Sequence, residues 1–192
     1  MKSDTHYQIV QIAARLSALP QNHLSYRLRL KLLALGAVLP DYGINQFLHP
    51  HFYETSACYV LCGLGRMLQK ERPLRRALRL GMFLHYLGDF CCKVHRSGSV
   101  YPLSDHMLYE IRQSSYWKKH RIQIEKQAEN LLRSAPERPA LRIDSVLRQY
   151  LEEDAQAPVA YERDLTHAVT VSALLLQLCA VQSSPANSSV DK

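Results

Sequence analysis

Apolar residues recur three and four positions apart through most of the chain, which is the period of an amphipathic helix. Ile9, Ile12, Ala13 and Leu16 fall on one stripe, predicting a first helix capped by Asp4 and Thr5 and ended by Pro20. A second helix, rich in Leu and Arg, is expected over 24–38, stopping before Pro40 because a residue preceding proline avoids the helical region. A third is expected over 54–70 with Cys58, Leu61, Leu64 and Leu68 inward, and Pro73 opens a fourth that ends at Asp89. A fifth begins near Ser104, an acceptable N-cap, and continues to Leu132. Helices over 142–156 and 159–181 complete the set, and the last, the most apolar, is expected at the centre.

The chain carries no alternating strand pattern, no internal repeat and no Gly-rich phosphate loop. The fold class is therefore all-α, a multi-helix bundle in one domain over 1–182. The segment 134–140, SAPERPA, reads as a linker, and 183–192, SSPANSSVDK, as a disordered tail.

At 192 residues and 47% hydrophobic content the chain can bury a substantial core without staples. Its longest apolar run, at 168–181, is too short to cross a bilayer, and polar residues fill the N-terminus where a signal peptide needs an apolar centre. A cytoplasmic protein is expected. Five cysteines is an odd number, and Cys58, Cys62, Cys91 and Cys92 in apolar surroundings suit reduced thiols in a core more than ligands or disulfides. The net charge of +7, with basic clusters at Arg27–Lys31, Lys70–Arg79 and Lys118–Arg121, favours phosphate-bearing partners, whether lipid head groups or nucleic acid.

The chemistry concentrates in residues 85–110. His85 and Asp89 are four apart, as are His106 and Glu110, so each pair projects from one helix face as a two-point clamp. Between them His95 sits near Gly98 and Pro102, in turn chemistry that lets the chain fold back and bring both clamps to one place. One His/Asp pair is most often a hydrogen-bonded structural feature. Five candidate imidazole and carboxylate ligands, His85, Asp89, His95, His106 and Glu110, within 26 residues favour a metal, and the set suits zinc, with manganese and iron tolerated. Upstream, a loop rich in Pro and Gly carries Asp41, His49 and His51, and His6 lies in the first turn of the first helix.

These residues resemble a known family. HYLGD at 85–89, the loop histidine His95 and the pair His106/Glu110 are similar to the core of the zinc-dependent phospholipases C and the related single-strand-specific zinc nucleases. THYQIV at 5–10 resembles that family's N-terminal histidine helix, Asp41-Tyr42 its DY segment and His51-Phe52-Tyr53 its HFY motif. The resemblance covers His6 to Ile111 and weakens beyond.

It implies that His51, His85 and Asp89 hold one metal and His95, His106 and Glu110 a second. Asp89 would bridge to a third, completed by His6 and the backbone of the N-terminal residue. That residue is typically tryptophan in the family; here Met1 stands in its place, retained because Lys2 is bulky. Asp41 would orient or deprotonate the attacking water. Tyr42, Phe52 and Tyr53 are the expected substrate-facing residues, with Phe47 and Trp117 as further stacking surfaces should the substrate be a single strand. His49 is expected to be a loop hydrogen-bonder, and His23, His120 and His167 ordinary polar residues. The family's acidic residue for choline has no clear match, Asp4 being the nearest, so choline specificity is not expected.

The implied function is phospholipase C-type hydrolysis of a phosphodiester, a phospholipid head group or another phosphate ester, by a di- or trinuclear zinc cluster. The alternatives are a single-strand nuclease of the same superfamily and a non-catalytic metal-stabilised binding module. A helical di-iron protein would want Glu-x-x-His pairs, which the chain lacks.

Overall fold

The computed structural model describes residues 1–17, 24–42, 49–70, 72–96, 102–134, 143–154 and 160–183. Those residues form seven α-helices and no strand. They are α1 (Ser3–Leu16), α2 (Leu24–Gly36), α3 (Tyr53–Lys70), α4 (Pro73–Phe90), α5 (Leu103–Ser134), α6 (Ile143–Asp154) and α7 (Tyr161–Ser183), with 3₁₀ turns at Leu39–Asp41 and Lys93–His95. The all-α expectation holds. No helix among the described residues is long and apolar enough to cross a membrane.

Two helices form the centre. α4 buries every residue from Phe83 to Phe90, and α7 buries Leu165, Val169, Val171 and Leu175 completely. Helices hidden on all sides belong inside a bundle. α7 packs on α1, α4 and α5, and α4 packs on α2 and α3. Trp117 from α5 and Phe83, Tyr86 and Phe90 from α4 are the bulkiest buried side chains, each worth about 1.5–3 kcal/mol of burial.

The α2–α4 crossing is set by two glycines. A Cβ on Gly36 would stand 2.0 Å from the Leu78 carbonyl oxygen, and one on Gly81 would stand 2.1 Å from the Leu33 carbonyl oxygen. Only a residue without a side chain allows two helix backbones this close. The crossing fixes Ala37, just past the end of α2, against the imidazole of His85.

Three local expectations need correction. Lys2, not Asp4 or Thr5, occupies the N-cap of α1; no side chain caps it, and Asp4 and Thr5 lie inside its first turn. α5 starts at Leu103, so Ser104 is in its first turn and not its cap. Cys58 and Cys62 are exposed on α3, their sulfurs 3.6 Å apart, because Val60, Leu61, Leu64 and Met67 take the buried stripe. Pro20, His23, Phe47, Gly98, the segment 135–142 and the tail from 184 lie outside the described residues, as does the side chain of Leu68.

Candidate metal centre

Six separate parts of the chain deliver polar groups to one place. The N-terminal segment brings the Met1 amine just before α1 and His6 within it, the first 3₁₀ turn brings Asp41, and the segment before α3 brings His51. α4 brings His85 and Asp89, the second 3₁₀ turn brings His95, and α5 brings His106 and Glu110. The close approach of α1 depends on Gly88, where a Cβ would meet Met1 Cε at 3.0 Å and the His6 ring at 3.4 Å.

Asp89 is the hub. Its carboxylate is fully buried, which for an unpaired charge costs several kcal/mol. Oδ1 lies 2.7 Å from the Met1 amine, 3.1 Å from His6 Nε2 and 3.7 Å from His95 Nε2. Oδ2 lies 3.3 Å from both His51 Nδ1 and His85 Nε2. Each oxygen thus faces a different set of nitrogens, the disposition a bridging carboxylate requires. A second cluster adjoins it: Glu110 Oε1 is 3.1 Å from His95 Nε2, 3.2 Å from His106 Nε2 and 3.1 Å from the Met1 amine. Asp41 Oδ1 completes a third grouping, 3.5 Å from His85 Nε2 and 3.8 Å from His51 Nδ1, while Ser3 Oγ donates to Asp41 Oδ2.

The ring tautomers follow from backbone carbonyls. His85 Nδ1 donates to the Ala37 carbonyl at 2.9 Å, and His95 Nδ1 donates to the His51 carbonyl at 3.1 Å. A carbonyl only accepts, so each Nδ1 carries the proton and each Nε2 turns a lone pair into the site. This is the arrangement of a metal-ligating histidine.

The electrostatics point the same way. Burial pushes the His6 imidazole down to about 4 and lowers His95, holding both neutral near pH 7. Burial alone would raise the Asp89 carboxyl, but His95, the Met1 amine, His6 and His85 outweigh it and hold the group well below its ordinary value. Glu110 is lowered similarly: burial opposes its charge, and the close ring nitrogens of His106 and His95 overcome it. Burial opposes the charge on the Met1 amine too, yet Asp89 and Glu110 raise it to about 11. The centre therefore presents ionised carboxylates and, at His6 and His95, neutral imidazoles, with one ammonium between them, while burial at His51 is outweighed by Asp89 and Asp41, which raise its imidazole.

This donor set fits zinc. Groups of three donors, His6/His85/Asp89, Asp41/His51/His85 and His95/His106/Glu110, each have their ligand atoms within 4.8 Å of one another. Two buried polar atoms, Asp89 Oδ2 and His51 Nε2, have no hydrogen-bond partner, an orphaning that native interiors rarely tolerate unless something else satisfies the atom. The centre opens on a cleft of about 680 Å³ lined by Ser3, Asp4, Asp41, His51, Phe52, His95, His106, Met107 and Glu110 among others.

The remaining sequence candidates divide. Phe52 lines the cleft and sets its ring edge-on to His106 at 6.1 Å. Tyr42 is 63% exposed and Tyr53 packs edge-on against Phe90, and neither lines the cleft. Trp117 is buried, its Nε1 donating to Gln8. His49 stacks on Tyr59 and His120 on Tyr116, while His167 meets Tyr150 edge-on. Buried Cys92 accepts from Gln113, and burial pushes its thiol well above the usual range, so it stays protonated. No cysteine belongs to a metal-compatible group among the described residues. Ser3 and the carbonyls of Ala37 and His51 were not anticipated. Every residue has a carbonyl, so the sequence holds no signal for those two, and Ser3 is one of many serines.

Comparison with the curated proteins and with the solved structures gives no match. The family model for zinc-dependent phospholipase C matches residues 5–157, a span that holds His6, Asp41, His51, His85, Asp89, His95, His106 and Glu110. With most of its length matched and with a cluster of imidazoles and carboxylates suited to zinc at its centre, the chain belongs to the zinc-dependent phospholipase C family.

Proposed function

We propose that the chain is a phospholipase C-type phosphodiester hydrolase working with two or three zinc ions held by the clustered side chains. The observation that carries this reading is Asp89, a fully buried carboxylate with imidazole nitrogens facing both of its oxygens. His51, His85 and Asp89 form one ligand set, and His95, His106 and Glu110 a second. Asp89 Oδ1 extends toward a third with His6 and the Met1 backbone. Manganese or iron would satisfy the same donors. Zinc bound there supplies positive charge to the phosphoryl oxygens and makes water a stronger acid.

Asp41 is the general base of this reading. Its carboxylate stands at the cleft, held by Ser3 Oγ, where it orients a water and accepts its proton. Phe52 forms an apolar wall for the substrate beside His106. A closed structural zinc site would have no need of an open cleft beside it, which argues against a purely structural metal. A single-strand nuclease wants exposed aromatic platforms at the cleft; Trp117 is buried, and among the described aromatic residues only Phe52 lines it.

The test is elemental analysis of untagged protein beside a panel of soluble phosphodiesters, including a chromogenic phosphocholine ester, and single-stranded DNA. Zinc together with cleavage of the small esters is expected. Absence of zinc overturns the reading, and cleavage of DNA alone moves it to the nuclease.

A further inference from the structure

The outer face of α5 has a composition unlike an ordinary solvated helix. The helix places His106, Glu110, Gln113, Trp117, Ile124 and Ala128 toward the protein and turns Met107, Leu108, Ile111, Arg112, Lys118, Lys119, Ile122 and Lys126 outward. Ile111, Ser115, Lys118 and Ile122 follow one another at helical spacing on a single stripe. Met107 is 56%, Leu108 43%, Ile111 46% and Ile122 67% exposed, so large aliphatic side chains stand in water next to cationic ones. Of the nearby carboxylates, Glu125 pairs with Arg15 at 2.7 Å and Glu129 with Arg133 at 2.5 Å, leaving exposed Asp105 against Arg112, Lys118, Lys119 and Lys126. The face therefore carries a positive excess.

A surface that alternates aliphatic and basic residues along a helix fits the boundary of an anionic bilayer, where aliphatic groups enter the acyl region and Lys and Arg meet phosphates. Nucleic acid answers only the charge. It offers nothing to exposed Ile and Met and asks for aromatic stacking surfaces, which this face lacks among its described residues. Position adds a second argument. Met107 belongs both to this face and to the rim of the metal cleft, one residue from His106. A bilayer lying along α5 would meet the cleft at its edge.

We infer that the outward face of α5, from Met107 to Lys126, docks on an anionic lipid surface. That docking then presents phospholipid head groups to the cleft, a consequence that rests on the hydrolase reading, whereas the docking does not.

The experiment is co-sedimentation of the full chain with vesicles of phosphatidylcholine alone and of phosphatidylcholine containing about a third phosphatidylglycerol, at low and physiological salt. Wild type should sediment with the anionic vesicles only, and less at higher salt. Lys118→Gln/Lys119→Gln should weaken that binding about 30-fold, taking each basic residue as worth about fivefold. Ile122→Asp should weaken it comparably. Hydrolysis of a soluble phosphodiester should stay at the wild-type rate in both variants, since none of these side chains lies in the cleft. Equal binding to the two vesicle types, variants that bind like wild type, or binding to an oligonucleotide in place of vesicles would each overturn the assignment. A wild type that sediments with anionic vesicles yet cleaves no ester would defeat the hydrolase reading and leave the docking surface standing.

Discussion

The imidazole of His85 donates through Nδ1 to the carbonyl oxygen of Ala37 at 2.9 Å, joining the metal centre to the glycine crossing of α2 and α4. Ala37 is next to Gly36, and Gly36 and Gly81 are the residues that let those helices touch. The aim of one ligand-type nitrogen and the packing of two helices are thus a single feature.

Gly81→Ala is expected to separate α2 from α4, because the new Cβ would overlap backbone that has no rotamer to yield. Overpacking of this kind costs about 1–3 kcal/mol, and loss of a histidine's outer partner costs about 10–100-fold in metal affinity. Denaturant unfolding and zinc titration of the same variant should therefore both shift. A variant with lower stability and unchanged zinc affinity would uncouple the crossing from the site.

Asp89→Asn keeps the shape and removes the charge on which Met1, His6, His51 and His85 converge. Zinc content and phosphodiester hydrolysis should fall together. Full zinc loading and full rate in this variant would refute the hub role of Asp89.

Asp41→Asn should separate the two properties. The side chain stands at the edge of the cluster, 3.5 Å from His85 Nε2, so zinc should remain while kcat falls by about 10²–10⁴, the range for loss of a general base. Ser3→Ala should lower kcat less, since it removes only the hydroxyl that holds Asp41. Loss of zinc in Asp41→Asn would make this carboxylate a ligand and not a base.

Much of this was legible in the sequence, and the reason is local. Residues four apart on a helix share a face whatever the rest of the chain does, so His85/Asp89 and His106/Glu110 were readable as clamps before any tertiary contact was known. The convergence of His6 and His51 on the same place is tertiary and came only from the family resemblance. The tautomers were not readable, because they depend on carbonyls of Ala37 and His51. Cys58 and Cys62 misled because an apolar neighbourhood in sequence is shared by both faces of a helix; the side chains of Val60, Leu61 and Leu64 fill the inner face of α3 and leave the thiols outside.

Metal-free protein should lose stability in acid. His6 titrates at about 4 when folded against an ordinary 6.5, so below 6.5 the unfolded chain takes a proton that the native chain refuses, and stability declines as pH falls through that window. The slope from this one group is at most about 1.4 kcal/mol per pH unit. His95, also lowered by burial, adds in the same direction, while His51, raised against its burial by Asp89 and Asp41, offsets part of the loss. Asp89 and Glu110 are held below their ordinary values, so the stability they contribute is present above the carboxylate range and lost at lower pH still. Urea unfolding of chelator-treated protein across this range tests the sign. Stability that stays flat or rises on acidification would contradict the charge states assigned to the centre.

The most direct test of the whole account is anomalous diffraction at the zinc edge from crystals of the untagged chain. The account predicts two or three peaks, one among His51, His85 and Asp89 and one among His95, His106 and Glu110, with any third beside His6 and the Met1 amine. No peak at these side chains, or a single zinc elsewhere, would contradict it.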